Sequence, residues 1–104
     1  MPKKTLDYLT EPMFYVLMAF RSGEMCGTDA ADYIKTRTGG RVNPGPGTLY
    51  TILGKFEEAG LIEETDVLGR RRTYRITEKG EKMFKDELSR LKACVLDAEK
   101  GEKL

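Results

Sequence analysis

The sequence predicts a small, mostly α-helical fold completed by one two-stranded wing, in the order helix, helix, helix, hairpin, helix. Three observations predict it. Apolar residues recur at helical spacing, most clearly at Leu49, Ile52, Leu53 and Phe56. Two strand-like runs flank an arginine-rich turn. Glycine and proline clusters separate the periodic stretches. With 104 residues, 39% hydrophobic and 34% charged, the chain makes a single thin core, a condition that favours pairing with a second copy.

Each element has its own local justification. Residues 1–9 carry Lys3 and Lys4 with little periodicity and read as a basic arm or a short leading helix. Thr10 is placed to cap a helix over Glu11–Phe20, with Glu11 and Pro12 suited to its first turn. Met25, Cys26 and Gly27 suffice only for a short edge strand. Thr28 is the expected N-cap of a second helix, with Asp29 in its first turn and Gly39-Gly40 as its stop. After the turn Arg41–Gly47, Pro46 opens a third helix that ends at Gly60. Leu61–Val67 and Arg72–Ile76 read as strands joined by residues 68–71. Thr77 then caps a final helix from Glu78 to about Lys100, in which Gly80 reads as a weak point of order 1 kcal/mol. The expected division is residues 1–76 as one unit and residues 77–104 as a final helix and tail.

Several functions are disfavoured at once. The longest apolar run, Met13–Phe20, is far short of the roughly 20 residues a membrane span requires. No tripartite leader opens the chain, so a cytoplasmic location is expected. The absence of His removes the commonest general base and metal ligand. Cys26 and Cys94 stand far apart and form no metal or redox motif. No nucleophile–base pair or phosphate-binding glycine motif is visible. The expectation is a binding module with no catalytic residues, metal or cofactor.

The charges are sorted along the chain. Tyr33–Phe56 contains Lys35, Arg37, Arg41 and Lys55 and no acid; Val67–Thr77 contains Arg70, Arg71, Arg72 and Arg75 and no acid. The remainder holds ten basic against seventeen acidic residues, a net −7. A basic surface on an acidic body attracts polyanions. A slim third helix followed by an arginine-tipped hairpin is the winged helix-turn-helix arrangement, which inserts its recognition helix N-terminus first into the major groove of DNA. The candidate DNA-binding residues are Lys35, Asn43, Gly47, Thr48, Tyr50, Thr51, Lys55, Arg70, Arg71 and Arg72. Tyr50 either meets DNA or packs half-buried against the second helix. Arg75 either serves DNA or pairs with Glu64 across the hairpin.

Two strings carry a family resemblance: GTLYTILGKFEEAGLIEE over Gly47–Glu64 and GRRRTYRITEKGEKM over Gly69–Met83. Together with Pro44, they resemble the PadR family of transcriptional regulators in four ordered pieces. These are the Pro44–Tyr50 start of the recognition helix, its Phe56–Ile62 exit, the Gly69–Tyr74 wing and the Ile76–Gly80 lead into the last helix. The resemblance spans about residues 10–90. Gly45 stands where the family often has Ser, Thr51 where it often has Pro, and Gly54 is unusual within the helix. The resemblance implies a homodimeric repressor with a single C-terminal helix, released from operator DNA by a small molecule.

The last helix carries Phe84, Leu88, Leu91, Val95 and Ala98 at alternating steps of four and three, a short seam suited to dimerisation or to packing on its own domain. A dimer would present two recognition helices about 34 Å apart to a pseudo-palindromic operator. Some PadR proteins hold planar drugs between these helices with a Trp, which this chain lacks. Phe14, Tyr15, Phe84 and Leu91 are the candidate pocket for a hydrophobic or phenolic effector, with Phe14 and Phe84 equally suited to a core. Cys94 is a candidate redox sensor or a small packing residue. The rival functional reading is a winged-helix adaptor that docks a protein partner and never touches DNA.

Overall fold

Helix α1 (Glu11–Ser22) lies at the centre of the fold, as shown by a computed structural model that describes residues 8–68 and 71–101. It is followed by β1 (Met25–Cys26), α2 (Gly27–Thr38), α3 (Pro46–Ala59), β2 (Ile62–Leu68), β3 (Arg71–Ile76) and α4 (Glu78–Gly101). Residues 1–7 of the predicted 1–9 arm and the wing positions Gly69 and Arg70 lie outside the described residues. The Thr10 hydroxyl accepts from the Met13 N–H, as the sequence predicts. Val16, Leu17 and Phe20 are fully buried, and α1 touches α2, α3, α4 and β3.

The wing hairpin is part of a three-stranded antiparallel sheet of order β1-β3-β2. The predicted edge strand at Met25 and Cys26 pairs with Tyr74 and Thr73. Extended backbone therefore runs through Cys26, and α2 begins at Gly27, one residue before the expected Thr28 cap could act. Cys26 occupies the cap position without a side-chain bond to a helix N–H, its Sγ lying instead 3.4 Å from the Thr28 hydroxyl. In the hairpin, Glu63 stands opposite Arg75 and a bulge falls between Glu64 and Asp66. The expected Arg75–Glu64 pair is thus replaced by Arg75–Glu63 at 2.6 Å, while Glu64 lies 3.5 Å from Arg72.

Gly80 has a different role from the weak point its helix position suggests. A Cβ there would stand 2.2 Å from the Leu61 carbonyl oxygen and 2.8 Å from Ile76 Cγ1. That carbonyl also accepts from the Thr77 N–H at 3.0 Å, and the Thr77 hydroxyl caps the Gly80 N–H at 3.1 Å. Only a glycine lets the start of α4 rest on the Leu61 backbone, just before β2. Further along α4, Phe84 enters the core, and its ring stacks on Phe14 at 4.8 Å with 7° between planes. Glu87 is a buried acid, 8% exposed, gripped by Arg90 at 2.7 Å and 2.9 Å. Arg90, aided by the Leu9 backbone N–H, outweighs the burial cost and holds the Glu87 carboxyl below its ordinary range.

Two measurements check these assignments. Gly80→Ala should lower stability by about 2–3 kcal/mol, because a backbone carbonyl cannot move aside. Gly54→Ala, whose Cβ meets nothing within 4 Å, should raise stability by about 0.5–1 kcal/mol through helix propensity. Equal denaturation midpoints for the two variants would contradict the packing at Leu61. Folding favours the ionised form of Glu87, so the unfolded chain binds more protons in acid. The contribution of Glu87 is present above about pH 4.5 and is lost as pH falls through its depressed folded value. In urea titrations at successive pH values, Glu87→Gln should flatten the acid side of the stability profile. An unchanged acid limb would contradict the clasp.

Candidate nucleic-acid interface

Burial of one stripe of α3 determines what its other side presents. Leu49, Ile52, Leu53, Phe56 and Ala59 are buried, whereas Gly47, Thr48, Tyr50, Thr51 and Lys55 are exposed. Tyr50 is 64% exposed, which rules out the half-buried alternative. Gly27 allows the start of α2 to approach this helix, since a Cβ there would lie 3.0 Å from Leu53 Cδ1. The N-cap, Gly45, makes no side-chain bond, and the first turn of α3 carries no acid. Among the described residues, no side chain caps its free N–H groups, and its positive dipole end meets no acid in its own first turn. Glu57 and Glu58 are confined to the opposite end. The Thr51 hydroxyl turns back on its own helix and donates to the Gly47 carbonyl at 2.9 Å.

The wing meets α3 across a cleft of about 260 Å³, which brings Tyr50 together with Arg71, Arg72 and Tyr74 beside the start of α2. Burial raises the Tyr74 phenol above its ordinary value, with a further push from Glu57 and opposition from a hydrogen bond to Arg72. Lys35, Asn43 and Lys55 are exposed but do not line this cleft. Lys35 and Lys55 make no ion pair among the described residues. Arg70 lies outside the described residues.

Charge sorting in the sequence overstates charge sorting in space. Arg41 is drawn to α1, where it donates to Glu11 and to the Tyr15 hydroxyl, each at 2.9 Å. Both contacts raise its pKa further, with the Glu11 bond the leading cause. Arg37 lies over the ring of Tyr33 at 5.4 Å. Arg71, Arg72 and Arg75 each face a carboxylate, from Asp29, Glu64 and Glu63 respectively. These partners are distant in sequence or in the opposing strand, so no local pattern announces them.

The candidate dimer and effector residues separate into two groups. Phe84 is buried in its own core; Leu88 and Leu91 are half-buried against it. Val95 and Ala98 are exposed, and Leu96, absent from the predicted seam, is as exposed as Val95 at 57%. Phe14 and Phe84 border a groove of about 540 Å³ together with Met18, Tyr33 and Leu88, and the ion-paired Arg21 and Glu81 also line it. Tyr15 and Leu91 do not line it. Cys26 is buried and Cys94 exposed, both as free thiols. No described helix is long and apolar enough to cross a membrane.

A central helix, a recognition helix and a small sheet ending in a wing define the winged-helix class. The chain belongs to the PadR-like family of transcriptional regulators, whose family model matches residues 16–86. No curated protein matches it in sequence. Among solved structures, it is similar to a transcriptional regulator from Clostridium thermocellum, with TM-score 0.75 and 24% identity over 85% of this chain and 89% of that one. RosR from H. salinarum gives TM-score 0.69 and 19% identity, covering 92% of this chain and 96% of that one. Bacillus subtilis PadR, solved in complex with operator DNA, gives TM-score 0.65 and 25% identity over 73% of this chain and 46% of that chain. This chain therefore matches less than half the length of that protein.

Proposed function

We propose that this protein is a homodimeric, sequence-specific DNA-binding repressor that a small molecule releases from a pseudo-palindromic operator. One observation carries the reading: the exposed face of α3 is slim and free of acid over its N-terminal half, and it lies beside two wing arginines. Membership of a regulator family and the operator complex of B. subtilis PadR support it. In this reading Thr48, Tyr50 and Thr51 meet base edges, with the hydroxyl of Thr51 acting as an acceptor. Gly47 admits the phosphate backbone, and Lys35, Asn43, Lys55, Arg71 and Arg72 hold phosphates, with Arg70 assigned the same role from the sequence.

Dimerisation is supported by the end of α4. Residues 92–101 are exposed throughout. An isolated helix of that length is marginal in water, and Val95 and Leu96 would stand there unpaired. A second copy covers Leu91, Val95, Leu96 and Ala98 and sets two α3 helices on one side of the duplex. The groove beside Phe14 and Phe84 is the site offered to a hydrophobic or phenolic effector.

Lys35, Lys55, Arg71 and Arg72 from two protomers provide up to about eight phosphate contacts. Fluorescence anisotropy on the DNA upstream of the protein's own coding sequence should give a log affinity–log salt slope of about −4 to −7. A slope near zero, or no binding, removes the DNA reading and favours the adaptor. Lys55→Ala with Arg71→Ala should weaken all duplexes about equally, whereas Tyr50→Ala or Thr51→Ala should change the preference among them. If neither alters binding, the assigned face is wrong. By sedimentation, Val95→Glu with Leu96→Glu should convert a dimer into a folded monomer; a persisting dimer would move the interface elsewhere.

A further inference from the structure

The described wing arginines are held by carboxylates in a graded way. At the base, Arg75 is hydrogen-bonded to Glu63, with the shorter approach 2.6 Å. Arg72 stands 3.5 Å from Glu64, and Arg71 stands 4.0 Å from Asp29 in the first turn of α2. The last separation is too long for a hydrogen bond, so charge alone relates the partners. Arg71 and Arg72 stay about two-thirds exposed, and both line the cleft that faces Tyr50. The two acids lie outside the acid-free stretches in sequence, and the fold brings them to the wing arginines.

We propose that Asp29 and Glu64 limit DNA affinity by standing in for phosphate: in the free protein they hold Arg71 and Arg72, and on docking they yield those guanidinium groups to backbone phosphodiesters. The inference rests on the DNA-binding reading. Exposed ion pairs of this kind are weak, so the exchange is cheap and the arginines remain available. The carboxylates stay beside the incoming phosphates after the exchange and repel them. The penalty applies to any duplex, because phosphate contacts carry no sequence information. The pair Arg75–Glu63, at the base of the hairpin, lies outside this exchange.

The test compares wild type, Asp29→Asn, Glu64→Gln, the double variant, and a charge-matched control, Asp97→Asn with Glu99→Gln on exposed α4. The probes are a mixed-sequence 30-bp duplex, chosen at about three helical turns, and the protein's own upstream DNA. At low salt the double variant should bind both probes about ten-fold more tightly than wild type, with each single variant in between. Its salt slope should be steeper by about 1–2, and the gain should shrink at high salt. The control should change affinity less than about two-fold, since neither of its carboxylates is a described partner of a wing arginine. Circular dichroism confirms that each variant is folded, and the Glu64→Gln single variant keeps the test open should α2 suffer from Asp29→Asn. If wild type binds DNA and the double variant matches it or the control, the proposal is overturned and the DNA reading stands. Weaker binding by the double variant also overturns it. Failure of wild type to bind either duplex overturns the DNA reading and the proposal together.

Discussion

The rotation of α3 about its own axis governs the surface this protein presents. Leu49, Ile52, Leu53 and Phe56 can enter the core in one orientation only, and that orientation turns Thr48, Thr51 and Lys55 outward. Rotating the helix by even a quarter turn would expose large apolar side chains, at about 1.5–3 kcal/mol for each. The same packing fixes the near end of the wing, because Leu61 and Ile62 leave α3 directly into the core. Gly27 and Gly80 permit the two close approaches that complete this frame, one against Leu53 and the other against the Leu61 carbonyl. The fold thereby holds a solvent-facing helix N-terminus and a hairpin in fixed relation.

Electrostatics at the wing follow a different logic from the one the linear charge pattern suggests. A run of arginines without acids still folds into a sheet whose neighbouring strand carries Glu63 and Glu64, and it packs beside a helix whose first turn carries Asp29. The resulting surface is basic where α3 offers Lys55 and self-compensated where the hairpin leaves the domain. Arg41 shows the same effect, since it joins the loop after α2 to Glu11 and Tyr15 of α1. Basic residues therefore divide into those that hold the fold and those that remain for a partner.

What the sequence made legible was local. The stripe on α3, the Thr10 and Thr77 caps and the glycine stops all depend on spacing within one element, and the structure places them as read. The features that escaped depend on residues brought together by folding. Gly80 looked weak because its clearance to Leu61 belongs to another element. Glu87 gave no sign of burial in a helix of charged residues. The Arg75 partner shifted by one residue because register is set by the whole hairpin, including its bulge. Phe14 and Phe84 had two readings in sequence, and the structure buries both in the core, stacked at 4.8 Å, while they also border a groove.

Amide chemical-shift mapping of the protein during titration with its upstream duplex tests the orientation of α3 most directly. The backbone amides of Gly47, Thr48, Tyr50 and Thr51 should move together with those of Arg71 and Arg72, while buried α1 positions such as Val16 and Leu17 stay in place. Shifts confined to the end of α4, with α3 and the wing unmoved, would contradict it.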